Sequence, residues 1–322
     1  MAAGNRKNPQ RAKSSESRYS LMEFMRDFPD DNACLEWLWA TRFATEDGSG
    51  AWCRKCEQVR VFERYGTAQQ RQSWTCTACG LHVHPTAGTI FHKSSTSLHL
   101  WFYAMYLMTS TRCGISAKQL ERELGVTYKT AWRMFTLIRN ELMTQDTEKL
   151  SGAVEMDETY VGGKPRLKDK SRFPDGRLKR GPNPERLKPM IVGAVERGGQ
   201  VRASVTPSGD REIAKRVEAY VTPGSTLYTD EHPGYLAPAM RLGSEHKTIK
   251  HSEKVYVSGD VHTQTIDGFW SLVKRGISGT HHAVSAKWLQ GYLNEYVWRY
   301  NHREETGAAQ FLLLILRAAS PS

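Results

Sequence analysis

Ala153-Val-Glu-Met-Asp157-Glu-Thr-Tyr-Val161 is the stretch on which the fold turns. It has the β-branched and aromatic composition of a strand, and it carries an acid, Asp157, among apolar residues. Pro189-Met-Ile-Val-Gly-Ala-Val195 reads as a second strand, and Val201–Val205 as a third after the Gly198-Gly199 turn. A helix over Arg211–Tyr220, a fourth strand over Ser225–Asp230 and a fifth over His246–Ile249 follow. Two helices, about Thr263–Ile277 and Ala286–Tyr300, close the region. Three strands in succession, then alternating helices and strands, predict a mixed α/β layered sheet.

Upstream the texture is helical. Ser116 and Thr127 are placed to cap two helices, with Gly125 in the turn between them. Ala131, Phe135, Ile138 and Leu142 form one apolar stripe. This helix-turn-helix pattern leaves Tyr128, Lys129 and Arg133 as exposed candidates for DNA contact. An ordinary helical hairpin shares the pattern, and the basic chain around it favours DNA. Ser97–Met108, rich in Trp, Phe, Tyr and Met, reads as core. Leu21, Phe24, Met25 and Phe28 share a helix face that Pro29 ends, and Leu35 and Leu38 resume it in a second short helix.

Four of the six cysteines form Cys53-x-x-Cys56 and Cys76-x-x-Cys79, the spacing of a four-cysteine zinc site. Two thiolates on one tight turn reach the same ion, and a second turn completes the tetrahedron, leaving no open position, so the zinc is structural. Cys34 and Cys113 lie in apolar or helical surroundings and read as inert core residues. His82, His84, His92 and His99 are not needed as ligands and read as structural or DNA-facing.

The chain has 322 residues, a net charge of +11 and 39% hydrophobic residues, which suits a folded protein with a polyanionic partner. Ten Lys or Arg fall between Lys164 and Lys188, among them Lys179 and Arg180, in a Pro- and Gly-rich stretch that reads as a basic loop able to grip a phosphate backbone. No apolar run approaches the length of a membrane helix; the longest, Phe311–Leu316, reads as part of a buried C-terminal helix. The first twenty residues are basic and polar, unlike a secretory signal, so a cytoplasmic protein with no membrane partner is expected.

Two strands thus end in or carry an acid, Asp157 and Asp230. Phosphoryl transfer on DNA uses two divalent ions held by a few carboxylates, with Mg²⁺ or Mn²⁺ the expected ions. A third acid is expected on the helix His262-Thr-Gln-Thr-Ile-Asp-Gly-Phe-Trp-Ser-Leu-Val-Lys-Arg275, whose apolar stripe is Ile266, Trp270, Val273 and Ile277. Gln264, Asp267, Ser271 and Lys274 share a polar face, and Asp267 and Lys274 lie two turns apart. His232 and His262 are placed to position water or DNA, and His281 and His282 to meet phosphate. Trp298, Arg299, Tyr300 and Asn301 read as packing and hydrogen-bonding residues.

The runs EMDETYVGGK, YTDEHPGY, HTQTIDGFWSLVKRGISGTHH and LNEYVWRYNHR, with the paired CxxC motifs and PTAGTIFH before them, resemble the ISXO2-like insertion-sequence transposases in the same order from about residue 30 to 303. The resemblance implies a ribonuclease-H-like catalytic domain, metal-dependent strand cleavage and joining, recognition of terminal inverted repeats in double-stranded DNA, and a homodimer or larger assembly that holds two ends and target DNA. It puts the first two metal-binding acids on Asp157 and Asp230, and the phosphate-holding basic residue on Lys274, followed by Arg275. Relatives commonly carry Asn at Gln264 and Glu at Asp267; Asp shortens the reach by about 1.5 Å. Either Gln264 or Asp267 is then the third ligand. A catalytically impaired, transposase-derived DNA-binding regulator is the alternative, and a nuclease without strand joining uses the same acids. The regions drawn are 1–45 for a basic arm and first helices, 46–92 for the zinc ribbon, 93–149 for the helix-turn-helix-like part, 150–303 for the catalytic domain and 304–322 for a C-terminal helix and tail.

Overall fold

A computed structural model describes residues 19–65, 72–111, 113–161, 189–249 and 262–320. The chain divides into two compact units, one of residues 144–301 and one of 1–143 with 302–322.

The first unit begins with α1 (Leu21–Asp27) and α2 (Asp31–Arg42). Ser20 and Glu23 form a reciprocal capping box on α1, and Asp30 caps α2 through the Ala33 amide. A ribbon follows: β1 (Ala51–Cys53), β2 (Gln58–Arg60), β3 (Phe62–Tyr65), β4 (Ser73–Cys76) and β5 (His82–Val83), paired antiparallel as β1-β2 and β3-β4-β5. Next come α3 (Leu98–Ser110), α4 (Ala117–Leu124) and α5 (Tyr128–Leu137), the last running into a π-turn at Ile138–Leu142. Ser116 caps α4, Gly125 takes the left-handed conformation (φ 62°) that stops it, and Thr127 caps α5.

Phe24 on α1 stacks on Tyr103 and Tyr106 of α3 and meets Phe311 edge-on. Phe311 belongs to the last helix of the chain, so the C-terminal end returns to build this core. Cys34 is buried, as expected, but Cys113 is exposed: it lies in the turn between α3 and α4, where Gly114 has φ 83° and the chain leaves the helix. Three of the four histidines near the cysteines have local side-chain partners, with His82 on Thr75, His92 accepting from the Gly88 amide and His99 stacked on Phe24.

The second unit is one five-stranded sheet. It is built from β6 (Ala153–Tyr160), β7 (Met190–Glu196), β8 (Val201–Thr206), then α6 (Asp210–Tyr220), β9 (Thr226–Thr229), α7 (Leu236–Arg241), β10 (Glu245–Thr248), α8 (Gln264–Gly276) and α9 (Leu289–Asn301). The helix α10 (Gly307–Ala319) follows in the first unit. The strand order is β10-β9-β6-β7-β8. β6, β7 and β8 form an antiparallel meander, and β9 and β10 add in parallel on the other side of β6. A parallel neighbour needs a crossover, which α6 and α7 supply. This order is that of a ribonuclease-H-like sheet.

Both faces are covered. Val154, Met156, Val192 and Ala194 pack with Ile213, Val217 and Ala239 on the α6–α7 side. Val161, Ile191 and Val195 pack with Ile266, Trp270, Val273 and Leu293 on the α8–α9 side. β8 is an edge, and three side-chain amides occupy its outer backbone groups. Asn301 both accepts from and donates to Val201, Gln145 does the same for Ala203, and Gln290 accepts from the Val205 amide. An edge sealed in this way offers no template for another strand.

Gly193 lies opposite Asp157 in the β6–β7 register, beneath α8. A Cβ there would stand 2.5 Å from the Trp270 ring. The ring is rigid and buried, so the overpacking costs about 1–3 kcal/mol. Gly193→Ala is expected to lower the urea midpoint accordingly without changing the slope of the transition, and an unchanged midpoint would show that Trp270 has room to move.

Candidate active site

The acids are delivered by three different elements. Asp157 lies just past the middle of the central strand β6, Asp230 directly after β9, and Asp267 in the first turn of α8. Alternation along β6 sends Glu155, Asp157 and Thr159 to the α8 face and Val154 and Met156 to the other. β9 is parallel to β6 and next to it, so Asp230 emerges at the same end of the sheet. In open α/β sheets that end, beyond the strand C-termini, is where ligands bind.

Asp157 is half-buried, and the Trp270 indole donates to its Oδ2 at 2.9 Å. Burial, then the charges of Glu158, Asp230 and Asp267, push its carboxyl up from 3.8 to about 7; the indole bond works in the opposite direction. All three acids therefore act in one electrostatic neighbourhood. Glu158, on the opposite face of β6, accepts from the buried Tyr235 hydroxyl at 2.7 Å, and burial and that carboxylate push the phenol far above its ordinary value. Asp230 accepts from the His232 amide at 3.0 Å, which fixes the bend after β9.

On α8, Gln264, Asp267, Lys274 and Arg275 are all exposed, while Ile266, Trp270 and Val273 are buried. The polar face read from the sequence is therefore the solvent face. Among the described residues, however, the acids are not gathered tightly enough to share a single ion.

The buried carboxylate of this site went unread in the sequence. Glu155 is 0% exposed and accepts from Arg197, from the Thr265 hydroxyl and from the Thr265 and Ile266 amides. Its signal was present, an acid two residues before Asp157 on an apolar strand and so on the same face. Trp270, read as core, is core, and its indole also holds Asp157.

In the other unit the sulfur atoms of Cys53, Cys56, Cys76 and Cys79 all lie within 4.8 Å of one another, a set that can hold a metal ion. Burial raises the Cys53 thiol, but the Cys56 and Lys55 amides and the neighbouring thiols outweigh it and bring it down to about 6. Amides aimed at a sulfur suit a thiolate ligand. Tyr128, Lys129 and Arg133 are exposed on α5. Lys179 and Arg180 lie outside the described residues, and no described helix is long and apolar enough to cross a membrane.

Residues 149–301 match the profile of the ISXO2-like transposase domain. A Halobacterium salinarum protein described as an uncharacterized protein in transposable element ISH50 is 31% identical over 265 residues, covering 78% of this chain and 85% of the relative. Among solved structures, the simian T-cell lymphotropic virus intasome in complex with PP2A regulatory subunit B56 gamma is similar at 13% identity over 62% of this chain and 72% of that one, with a TM-score of 0.30. A pre-cleavage Mos1 transpososome is similar at 12% identity over 68% and 79%, with a TM-score of 0.24. With the sequence match spanning most of both chains, this chain belongs to the ISXO2-like transposase family.

Proposed function

We propose that the chain is a DNA transposase that cuts and joins strands at the ends of an insertion sequence, with Asp157, Asp230 and Asp267 holding two divalent ions. The observation that carries this reading is the crowding of negative charge on Asp157. Carboxylates that raise one another's proton affinity are a donor set that a hard cation relieves. Mg²⁺ or Mn²⁺ bound there would supply positive charge to the attacking and leaving oxygens of an in-line displacement. Trp270 holds one oxygen of Asp157 and so fixes which one faces the site. Lys274, two turns after Asp267 on the exposed face, holds a phosphate near the scissile bond, and Arg275 adds a backbone contact. Water is the first nucleophile and the released 3′-hydroxyl the second, with no protein nucleophile.

Tyr128, Lys129 and Arg133 at the start of α5 would read the inverted repeats in the major groove, and Lys179 and Arg180 would grip the phosphate backbone. The four cysteines would hold a structural zinc. Two ends must be held together, so the working form is a homodimer or larger assembly on double-stranded DNA, acting in the cytoplasm.

A second reading, a DNA-binding regulator that no longer cuts, has one observation in its favour: Gln264 and Asp267 stand where relatives commonly carry Asn and Glu. Cleavage of labelled DNA carrying the element's own ends separates the two. Wild type is expected to cut in Mg²⁺, and Asp157→Ala to lose at least about a hundredfold in rate. Tight binding with no cutting in Mg²⁺ or Mn²⁺ would leave the regulator.

The proton on Asp157 gives a second expectation. Its carboxyl binds a proton more tightly folded than unfolded, so between about pH 4 and 7 the folded chain holds a proton that the unfolded chain has lost. Metal-free stability therefore falls as pH rises through that window. Asp157→Asn is expected to melt above wild type at about pH 8 and to converge with it below about pH 4. Metal must displace the same proton, so Mg²⁺ uptake by wild type strengthens between about pH 6 and 8; uptake flat across that range would remove Asp157 from the ligand set.

For the cysteine site, metal analysis of the purified chain is expected to find one zinc per chain. Chelation or Cys76→Ser should unfold the ribbon, since structural zinc contributes on the order of 10 kcal/mol or more to such domains. A full-strength melt after complete chelation would refute it.

A further inference from the structure

The helix that carries Asp267 and Lys274 has no cap of its own. Thr263 stands at the cap position of α8, but its side chain makes no capping bond. The open amides of the first turn are taken by a carboxylate from another element. Glu155 Oε2 accepts from the Thr265 amide at 2.8 Å and the Ile266 amide at 3.1 Å, and Oε1 accepts from the Thr265 hydroxyl at 3.0 Å. These are the second and third amides of the helix, the ones a local Ser or Asp cap would serve.

Arg197, in the turn after β7, completes the arrangement. Its Nε donates to Glu155 Oε1 at 2.8 Å and its Nη2 donates to the His262 carbonyl at 2.8 Å, while its guanidinium lies 4.0 Å above the Tyr228 ring. His262 Nδ1 is 3.2 Å from Oε1 but forms no hydrogen bond. The entry to α8, from His262 to Ile266, is therefore gripped by an acid from β6 and a base from the turn after β7. Glu155 is two residues before Asp157 on the same face of the same strand, and Asp267 follows Ile266 directly. One buried side chain thus spans the strand of the first acid and the helix of the third.

We infer that Glu155 is a positioning residue for the catalytic acids, setting the height and rotation of α8 against β6 and so the distance between Asp157 and Asp267. The inference rests on the proposed metal-dependent reaction but concerns a residue that touches neither metal nor DNA. A carboxylate is needed because the four groups hydrogen-bonded to it all donate. Glutamine of the same shape would turn an NH₂ toward a donor, and α8 would have to shift to relieve it. Misplacement of about 1 Å in a reacting constellation costs on the order of a hundredfold in rate.

The test compares wild type, Glu155→Gln and Thr265→Val, which removes one hydroxyl donor and leaves both amides. Mn²⁺ binding to the metal-free sites is measured by calorimetry, end-DNA affinity by gel shift, and cleavage rate per folded molecule where wild type cuts. For Glu155→Gln we expect Mn²⁺ binding weaker by about tenfold and cleavage slower by about a hundredfold, with end-DNA affinity unchanged. Thr265→Val should shift the same quantities the same way by less. If wild type binds Mn²⁺ but never cuts, the catalytic reading fails while the Mn²⁺ comparison still decides the role of Glu155. Should Glu155→Gln fail to fold, Thr265→Val carries the comparison alone. Unaltered Mn²⁺ binding and cleavage in the variants, whatever happens to melting temperature, would make Glu155 a purely structural cap and overturn the inference.

Discussion

β6 is covered on both faces, and that constraint governs the second unit. A strand with helices on either side must send each residue into one layer or the other. Val154 and Met156 go to the α6–α7 side, and Glu155, Asp157 and Thr159 to the α8 side. Two acids are therefore driven into the same layer, Glu155 fully buried and Asp157 half-buried. The chain resolves the two in opposite ways. Glu155 receives four hydrogen bonds, one of them from a guanidinium, which is what a buried carboxylate needs to remain charged at tolerable cost. Asp157 receives one indole bond and the repulsion of its neighbours. An acid fully served by the protein has nothing left for a ligand, and one left underserved has.

Glycine and tryptophan make this possible at close quarters. Asp157 faces Gly193 across the ladder, and with no side chain there the Trp270 ring comes down onto the sheet far enough to reach the carboxylate. A larger residue at position 193 would seal the core equally well as far as apolar area goes, but it would hold the indole away. The glycine is explained by this approach of ring to backbone, not by its dihedral angles.

Much of this was legible in the sequence because it is written locally. The five strands, the helices flanking them, the caps Ser116 and Thr127 and the Gly125 stop all follow from patterns within a few residues, and each appears where the pattern puts it. The two CxxC turns were legible for the same reason. What escaped was either too short to show a pattern or non-local. α7 is six residues long with a proline inside it, too short for a periodic signal. The exposure of Cys113 depends on where α3 ends. Nothing near Glu155 in sequence announces that its partners are more than forty and a hundred residues away, at Arg197 and Thr265. The apolar stripe of α8 correctly placed Trp270 inside, but periodicity reports burial and is silent about the one polar atom an indole carries.

The same distinction separates the two halves of the candidate site. The polar face of α8 was read from spacing, and Gln264, Asp267 and Lys274 do stand together in solvent. Spacing fixes their bearing around the helix axis and nothing else. Their height above Asp157 is a property of how α8 is seated, and with Thr263 idle as a cap that seat is made by groups from β6 and from the turn after β7. A shorter acid at position 267 therefore cannot be judged from its own length. Losing about 1.5 Å of side chain is harmful only if the helix sits where a longer acid would need it, and the helix sits where Glu155 and Arg197 hold it. The residue to weigh against Asp267 is thus its anchor in the sheet, a pairing that tertiary structure alone brings into view.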